Sequence, residues 1–576
     1  MASAAALGRG RRSAESAGRR AARGRVLGGA GIAVVWGFLL LFLVYPLGRI
    51  FYDAVTNEAG QLTLANFREF FTDRFYLRSL WNSLVLGVVT VITSSALGIA
   101  IAFLLVRFDF WGRRVFSTLT VIPIISPPLV GVLGFTFILG RAGTVNVLLM
   151  DAFDWVKPIN FLYGLHGVVL VETLHLFPMI TLNVVDALGK IDPALEEAAE
   201  SVGARGWRKF RTVTLPLTTP GYVAGALLVF IWTFSDFATP LILGVQDLLA
   251  AQAYLNIVQF VDRRIFRMGI VISALMVALA VVFLLAARGW VGLKDYSSLS
   301  YARVERRRLR GLPHVCAVLL LSATLLLAFV PYAGVALASV GKGWSLTPLP
   351  VAYTLQYYDR VIVETPKYIL NSFLYSGLAV FLCVALGVPI AWLLARSTIP
   401  GRAALDAVNT LILAVPGTAI GIAYIRAFHF DLPGLDRGLT SFWIVMPLVL
   451  AVRRLPYTVR GSFASLLLVH RSMEEAAASV GASGLRSFRD VTLPLIWKGI
   501  LVGALFSFMT SLQEASAVLF LALGGWESIT NGIFAFYIAG SANEAAALGV
   551  ILIAVAAVSV VVINRIAGSK MGGVFG

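Results

Sequence analysis

The sequence predicts an all-α, polytopic membrane protein with about twelve transmembrane helices in two six-helix halves, arranged as a parallel repeat. The mean hydropathy is +0.85, and charged residues make up only 13% of the 576 residues. Apolar stretches of about 20 residues, the length that crosses a hydrocarbon core of roughly 30 Å, recur along the chain. One polar passage also occurs twice, once in each half.

The apolar stretches divide evenly between the halves. In the first half, membrane spans are expected near 28–50, 80–106, 115–140, 161–185, 221–244 and 268–288. In the second half, they are expected near 313–338, 370–395, 405–428, 440–455, 499–522 and 547–567. The tenth stretch departs furthest from the pattern, because Pro447, Arg453 and Arg454 crowd it.

Basic residues predict the orientation. The tail 1–27 carries seven arginines against Glu15 alone, and the linker 301–312 carries the run "RVERRRLRGL". Because cytoplasmic loops are enriched in Lys and Arg, both termini and this linker are expected on the cytoplasmic side. The net charge of +17 then reflects topology and attraction to the lipid bilayer. A nucleic-acid partner is not expected, since the basic groups are scattered between spans rather than forming one patch.

The cysteines and histidines give no sign of catalysis or of a disulfide framework. Cys316 and Cys383 both lie in apolar spans, where small buried hydrophobic roles are expected. His166 and His175 are nine residues apart, and a structural role is expected for them. No catalytic residue and no fixed metal site is predicted.

The polar passage is repeated with high fidelity. "EEAAESVGARGWRKFRTVTLPL" begins at Glu196 and "EEAAASVGASGLRSFRDVTLPL" begins at Glu474, with seventeen of 22 positions identical. Upstream, the segments beginning Asn82-Ser83 and Asn371-Ser372 also align. Each copy has the same number of spans before its loop, so the repeat is parallel. The predicted domains are therefore 28–300 with its loop 190–220 and 313–576 with its loop 470–498.

Each repeated loop is predicted to form short helices. Asp192 is placed to cap the first helix and Pro193 to begin it, while Gly203 supports a sharp turn. A second short basic helix is expected to end at the Leu-Pro pair, and Ser472 is the expected cap in the second copy. Amphipathic interfacial helices are the alternative interpretation, which the matched second copy makes less attractive.

The spacing of these residues resembles a known family. Glu-Ala-Ala, three residues, Gly, nine residues, an aliphatic residue, one residue and Leu-Pro resembles the signature loop of binding-protein-dependent ABC importer permeases. The first copy carries this pattern at Glu197, Ala198, Ala199, Gly203, Val213, Leu215 and Pro216. The second copy carries it at Glu475, Ala476, Ala477, Gly481, Val491, Leu493 and Pro494. In length and duplication, the chain resembles the fused double permeases of the ferric-iron branch; thiamine and aminophosphonate permeases are similar in the same regions.

The resemblance implies a partner for each loop. In this family the loop is a coupling helix that docks on an ATP-hydrolysing subunit, so two copies of an ATP-binding subunit and an external substrate-binding protein are expected in a bacterial inner membrane. The chain itself lacks a G-x-x-x-x-G-K-[ST] loop, because Gly189-Lys190 runs into Ile191 and Gly341-Lys342 into Gly343. It is therefore expected to be a transport subunit without cofactors of its own, with ATP and Mg²⁺ used by the partner.

Two carboxylates are candidates for the substrate path. Asp236 and Glu514 lie 278 residues apart, so the repeat maps one onto the other. Intramembrane carboxylates are costly and usually face a partner or a water-filled path, and their oxygens suit a hard metal ion. The alternative is that they reach the outer surface or pair with an arginine such as Arg263. Glu172 and His175 are weaker candidates, since the second copy carries Leu450 and Arg453 there.

These observations together predict the membrane-spanning subunit of an ATP-driven importer, with ferric iron as the leading solute. The same machinery serving 2-aminoethylphosphonate, thiamine or a polyamine is the alternative within the class. A secondary transporter driven by an ion gradient is the alternative outside it, disfavoured because such a protein would not need two matched docking loops.

Overall fold

The computed structural model describes residues 31–57, 59–259, 261–292, 306–344, 346–397, 401–430 and 436–567. Within these residues, ten helices are long and apolar enough to cross a membrane, and a bent pair supplies an eleventh candidate span. An α-helix pairs its own backbone N–H and C=O groups, which is necessary in a membrane because hydrocarbon offers them no hydrogen-bond partners. The predicted all-α membrane fold is confirmed. The basic tail 1–27 and linker residues 301–305 lie outside the described residues.

Among its described residues, the first half contains twelve helices, counting the short ones. They are α1 (Gly31–Ala54), α2 (Ala65–Thr72), α3 (Arg74–Arg107), α4 (Arg113–Leu119), α5 (Pro128–Leu139), α6 (Thr144–Phe153), α7 (Leu165–Gly189), α8 (Pro193–Ser201), α9 (Gly206–Ser235), α10 (Ala238–Ile242), α11 (Leu249–Val258) and α12 (Arg263–Gly292). A 3₁₀ turn covers Ile122–Ile125.

The second half repeats this order with eleven helices. They are α13 (Leu312–Val340), α14 (Gln356–Asp359), α15 (Lys367–Arg396), α16 (Arg402–Ala414), α17 (Gly417–Phe428), α18 (Val445–Leu468), α19 (Arg471–Ser479), α20 (Gly484–Leu512), α21 (Val518–Leu521), α22 (Ile529–Ile538) and α23 (Ala542–Ala567). A π-turn, Arg360–Glu364, follows α14, and a 3₁₀ turn covers Leu439–Ser441.

Two-residue strands pair loops at opposite ends of the molecule. β1 (Phe108–Asp109) pairs in parallel with β2 (Arg307–Arg308), and β3 (Gly341–Lys342) pairs antiparallel with β4 (Ala352–Tyr353). Because β1 directly follows α3, the first pair places the end of the linker beside the turn between α3 and α4.

The same three-helix core occurs in both halves. α3 packs against α7 and α9, and α15 packs against α18 and α20. Glycines permit these close approaches: a Cβ on Gly98 would lie 2.7 Å from Ile180, and one on Gly503 would lie 2.9 Å from Thr458. The repeated core explains why the upstream segments and the loops align in sequence.

Proline and arginine move several spans from their predicted positions. The third span is Pro128–Phe153 rather than 115–140, because the prolines before it break the helix. The ninth is broken at Pro416, with α16 and α17 bent by 108°. The tenth is α18, Val445–Leu468 rather than 440–455. Because of its arginines, α18 is not among the ten helices that are apolar enough to cross a membrane by composition. In the second half it nevertheless occupies the position that α7 occupies in the first half.

The first helix of each half packs on the other half. α1 contacts α17, and α13 contacts α5. Tyr424 in α17 donates a hydrogen bond of 2.7 Å to the Phe42 carbonyl of α1. Tyr332 in α13 donates one of 3.2 Å to the Ile122 carbonyl before α5. The halves therefore interlock reciprocally rather than meeting at a flat interface.

Candidate coupling loops and central cavity

The first repeated loop begins as predicted. Asp192 Oδ1 accepts a hydrogen bond of 2.9 Å from the Ala194 amide, and Pro193 is the first residue of α8. Gly203, just after the helix, has a φ of +86°. A residue with a Cβ is strained in this left-handed region, so glycine is required by the turn.

The second loop has the same turn but a different cap. Gly481 has a φ of +88°, matching Gly203. The predicted cap Ser472 is wrong: α19 begins at Arg471, and His470 Nδ1 accepts a hydrogen bond of 3.4 Å from the Ser472 amide. The Ser472 hydroxyl instead lies 2.8 Å from that ring nitrogen. The imidazole of the second loop accepts the capping hydrogen bond that a carboxylate accepts in the first loop. Residue type alone did not indicate that a histidine would be the cap.

The Leu-Pro pairs do not close a separate short helix. Leu215-Pro216 and Leu493-Pro494 lie inside the continuous helices α9 and α20. A π-turn precedes each pair, at Phe210–Thr214 and Phe488–Thr492. Proline cannot donate an amide bond, and a locally widened turn accommodates that loss. The basic residues predicted on a second short helix therefore form the first turns of the membrane spans themselves.

One glutamate anchors the first helix of each repeated loop, α8 or α19, to two membrane spans. Glu196 Oε1 accepts hydrogen bonds from Arg107 Nη2 at 2.7 Å and from the Thr214 hydroxyl at 2.8 Å. Arg107 ends α3, and Thr214 belongs to α9. This three-residue contact is called the first clamp below.

The second clamp uses the equivalent residues. Glu474 Oε1 accepts from Arg396 Nε at 3.2 Å and from the Thr492 hydroxyl at 3.1 Å. Arg396 Nη2 additionally donates to the carbonyls of Leu466 and Val469, at the end of α18. Sequence reasoning selected the following residue, Glu475, and missed this one. The sequence did contain a signal for this contact, because Arg107 and Glu196 are matched in the repeat by Arg396 and Glu474.

The motif residues beyond the clamp face outward. Glu197, Ala198, Glu475 and Ala476 are exposed, while Ala199 is buried and Ala477 is half-buried. Beside them, Val202 and Val480 are 83% and 85% exposed. Trp207 and Leu485, equivalent in the repeat, are also exposed. Each loop thus presents a matched patch of apolar groups beside a free carboxylate, typical of an interaction surface. Their docking role stays a prediction.

Glu200 is also ion-paired, but at the surface of α8. Lys209 Nζ lies 2.6 Å from its Oε1. This hydrogen bond and the positive charge of Lys209 lower the pKa of Glu200 below its ordinary value. Its counterpart in the second loop is Ala478, so this pair is not part of the repeated design.

A cavity of about 130 Å³ lies between the two halves. Both predicted carboxylates line it. Asp236 ends α9 and accepts from the Ala238 and Thr239 amides at 3.0 and 3.2 Å. Glu514, just after α20, accepts from the Ala517 amide at 3.1 Å. The structure therefore brings the two together at one site, each holding the turn after its span.

The partners of Glu514 differ from those expected. Arg453 Nε lies 2.9 Å from Glu514 Oε2, and Arg454 Nη2 also donates to that oxygen. The Glu514 side chain is only 3% exposed. Arg263, the arginine named as a possible partner, instead lines a separate groove. Sequence reasoning treated Arg453 and Arg454 only as a disturbance of the tenth span, although intramembrane arginines usually mark a functional partner.

The first-half wall of the cavity carries two further polar side chains. Glu172 and His175 on α7 both line the cavity beside Asp236. Glu172 Oε1 and His175 Nε2 are buried and have no hydrogen-bond partner within the described residues. Arg453, the second-half counterpart of His175, faces the same cavity. The weaker candidates thus line the same cavity, with two carboxylates and an imidazole on one wall and guanidinium groups on the other.

The remaining candidates fall outside this cavity. Cys383 is buried, but Cys316 is exposed on α13, so the prediction of a buried role is wrong for Cys316. His166 Nε2 lies 3.1 Å from the Asn160 carbonyl at the surface. Across the part of the chain that the structure describes, no three His, Cys, Asp or Glu side chains are grouped to hold a metal ion.

Comparison with known proteins places the chain among transport components. Residues 94–293 and 387–572 match the family described as binding-protein-dependent transport system inner membrane component. A ferric transport system permease protein, FbpB of Actinobacillus pleuropneumoniae, is 27% identical over 90% of this chain and 75% of its own length.

More limited similarities cover one half. The putative 2-aminoethylphosphonate transport system permease protein PhnU of Salmonella choleraesuis is 30% identical over 36% of this chain and 73% of its own length. A crystal structure of a bacterial ABC transporter involved in the import of alginate matches 45% of this chain and 92% of its own chain, at 19% identity and a TM-score of 0.36.

Proposed function

Because the chain belongs to the binding-protein-dependent transport system inner membrane components, and is thus an ABC importer permease, we propose that it forms the membrane pathway of an ATP-driven importer of ferric iron. Each coupling loop receives one copy of an ATP-binding subunit, which binds ATP and Mg²⁺. An external substrate-binding protein delivers the solute to the opposite face. The matched exposed patches of the two loops are the observation that supports two identical docking partners.

The first-half wall supports iron as the solute. Glu172 and Asp236 offer carboxylate oxygens and His175 an imidazole nitrogen to a passing solute, although the three are not grouped as a preformed metal site. Hard trivalent iron favours oxygen ligands and accepts imidazole. The similarity to a ferric transport permease over 90% of the chain favours the same solute.

The opposite wall favours a second candidate solute, 2-aminoethylphosphonate. This molecule carries an ammonium group and a phosphonate, so Arg453 and Arg454 could bind its anion while Asp236 binds its cation. A relative named for this solute is 30% identical over one half.

The geometry supports a route from the coupling loops to the cavity. α9 carries Thr214 of the first clamp near one end, and Asp236 follows its other end. In the same way, α20 carries Thr492 of the second clamp near one end, and Glu514 follows its other end. When nucleotide binding closes the ATP-binding subunits, the coupling helices are drawn together. The clamps then move α9 and α20, and with them the two walls of the cavity.

The proposed setting is a bacterial inner membrane with both termini in the cytoplasm. The described end of the linker, including Arg307 and Arg308, pairs beside the end of α3. Arg107 at that same end contacts the first coupling loop. Basic linker and coupling loops therefore share one face, as the positive-inside rule requires of a cytoplasmic face.

Reconstitution tests this function. The permease with its ATP-binding subunit in proteoliposomes, supplied with binding protein and radioactive ferric iron, should accumulate iron only when ATP and Mg²⁺ are on the coupling side. Excess 2-aminoethylphosphonate should not compete; full competition would favour the second candidate. Uptake driven by an ion gradient without ATP would instead identify a secondary transporter.

A further inference from the structure

Both halves break a membrane span beside the central cavity. In the second half, α16 and α17 meet at Pro416 with a bend of 108°. In the first half, the 3₁₀ turn ends before Pro127, and α5 begins at Pro128. The offset of 289 maps Pro127 onto Pro416. The two residues have nearly the same backbone angles, φ −60° and ψ 136° against φ −57° and ψ 138°, so the break is a repeated feature of the fold.

Each break places the beginning of a helix against the central cavity. Pro128 and Leu129 at the start of α5 line the cavity, and so does Gly417 at the start of α17. The first amides of an α-helix have no partner within the helix, and the helix dipole makes this end positive. Broken membrane helices hold anionic solute groups at such ends. What each helix beginning can bind depends on the residues found there.

The two helix beginnings differ in the donors that they offer. Proline has no amide hydrogen, so Pro128 removes one donor from the start of α5. Its counterpart at the offset of 289 is Gly417, which keeps its amide and has no side chain to cover it. The packing leaves no room for one, because a Cβ on Gly417 would lie 2.6 Å from Ser516 Cβ and 3.0 Å from Arg453 Nη2. The helix beginning with the larger capacity to donate is therefore in the second half.

Two arginines add positive charge at the same place. Arg453 Nη1 donates to the Val415 carbonyl, just before the break, at 3.4 Å. Arg453 and Arg454 both pair with Glu514, which belongs to their own half of the molecule. One carboxylate balances one of the two guanidinium charges, and the start of α17 adds to the positive side. Among the described lining residues, the second-half wall therefore carries a net positive charge.

Both walls also contain buried polar atoms without partners. Arg454 is 8% exposed, and its Nε has no hydrogen-bond partner within the described residues. On the facing wall, Glu172 and His175 are 3% and 8% exposed, and Glu172 Oε1 and His175 Nε2 are unpartnered among the same residues. A buried polar atom is costly unless it is paired. The two walls together therefore favour a ligand that presents an anion to one side and a cation to the other.

A bare ferric ion would satisfy only one of these walls. It would be attracted to Glu172 and Asp236, but it would meet the positive wall across a cavity of about 130 Å³. Like charges repel strongly in a low-dielectric interior. An oxyanion bound to the iron removes this repulsion, because its oxygens accept hydrogen bonds from guanidinium groups and from the amides at a helix beginning. A complex of iron with an oxyanion thus matches both walls.

On the basis of the proposed function, we further propose that iron crosses the central cavity together with an inorganic oxyanion, in a complex that both walls bind. Arg453, Arg454 and the amides at the start of α17 hold the oxyanion. The metal faces Glu172, His175 and Asp236. Phosphate, a tetrahedral oxyanion with several acceptor oxygens, is the probe for this site.

Uptake of two labels by the complete transporter tests this proposal. Proteoliposomes that contain the permease and its ATP-binding subunit receive binding protein, radioactive iron and phosphate labelled with radioactive phosphorus. With ATP, iron and phosphate should accumulate in equal amounts, and omitting iron should abolish phosphate uptake. Accumulation of iron without phosphate would overturn the proposal and leave the proposed function standing. The absence of any iron uptake would contradict the proposed function, and this proposal with it.

Variants of Arg454 show whether the second-half wall holds the oxyanion. Arg454→Gln leaves the ion pair between Arg453 and Glu514 in place, so the chain should still fold. Losing a charged hydrogen-bond donor should lower the uptake of iron and phosphate together, roughly tenfold. Arg454→Lys keeps the charge and should retain most of the uptake. The control Arg460→Gln removes an arginine of the same helix that is not part of the cavity lining, and it should transport as the unmodified chain does.

A phosphate titration separates weakened binding from a structural defect. If Arg454 holds the oxyanion, a higher phosphate concentration should restore uptake by Arg454→Gln, because only the affinity has fallen. Uptake by this variant at the unmodified rate, or a loss that phosphate does not relieve, would exclude the second-half wall as the oxyanion site. Uptake of labelled 2-aminoethylphosphonate without iron would also refute the proposal, since the anion would then be the phosphonate of an organic solute.

Discussion

The two halves agree at the coupling loops and differ at the cavity between them. Both clamps join an arginine, a glutamate and a threonine at equivalent positions of the repeat, although Arg107 donates through Nη2 and Arg396 through Nε. At the cavity, Glu172, His175 and Asp236 on one wall meet Arg453 and Arg454 on the other. Two identical partners require two identical docking surfaces, whereas a single solute path between the halves requires no symmetry. Under the proposed function, the similarity corresponds to coupling and the divergence to the solute.

The largest effect is expected from removing the charge of Glu514. Glu514→Gln leaves Arg453 and Arg454 buried without their counter-ion, which should cost about 3 kcal/mol of stability or more. Asp236→Asn is the matched control, because an amide oxygen can still accept from the Ala238 amide. Thermal unfolding in detergent should show a much larger loss for Glu514→Gln; equal losses would mean that the walls do not differ as described.

Changes on the exposed part of a coupling loop should abolish docking without unfolding the chain. Gly481→Leu places a side chain at a φ of +88°, and Glu475→Lys reverses an exposed charge. Binding of the ATP-binding subunit and its stimulated hydrolysis should fall, while membrane insertion persists. The control Lys157→Glu reverses a charge on the opposite face. Normal assembly and hydrolysis in both loop variants would refute the docking role.

Loosening one clamp is expected to have a smaller effect. The amount of solute moved per ATP should fall about tenfold if the ion pair contributes roughly 1.4 kcal/mol. Glu196→Gln keeps the bond to Thr214 but loses the charge attraction to Arg107. Asp186→Asn is the control, since its ion pair with Lys190 lies outside both clamps. Hydrolysis and uptake would be measured together; an equal change in both variants would show that the clamp transmits nothing.

The smallest effect is expected from cutting the linker between residues 300 and 306. The two pieces should copurify, because α1 packs on α17 of the other half and α13 packs on α5. Pull-down through a tag on one piece measures this. Separation of the pieces in mild detergent would show that the linker, rather than the reciprocal packing, holds the halves together.

The sequence predicted the repeated features better than the unique ones. Two aligned copies located Gly203 and Gly481, and the carboxylates Asp236 and Glu514, because each position was seen twice. Span limits failed where prolines precede a helix, as before the third span at Pro128, and the break at Pro416 was missed, since hydropathy averages over such breaks. The pairing of Glu514 with Arg453 and Arg454 was missed because it joins residues about 60 positions apart, and spacing carries no information about contacts between spans.

The most direct test of the proposed solute path is uptake by the double variant Glu172→Gln/Asp236→Asn, assembled with the ATP-binding subunit and binding protein in proteoliposomes. Both substitutions keep size and remove charge from one wall, leaving the clamps and Glu514 intact. ATP-dependent uptake of radioactive iron should fall at least tenfold, equivalent to about 1.4 kcal/mol. Hydrolysis stimulated by the loaded binding protein should continue. Uptake at the unmodified rate would contradict the assignment of this cavity as the iron path.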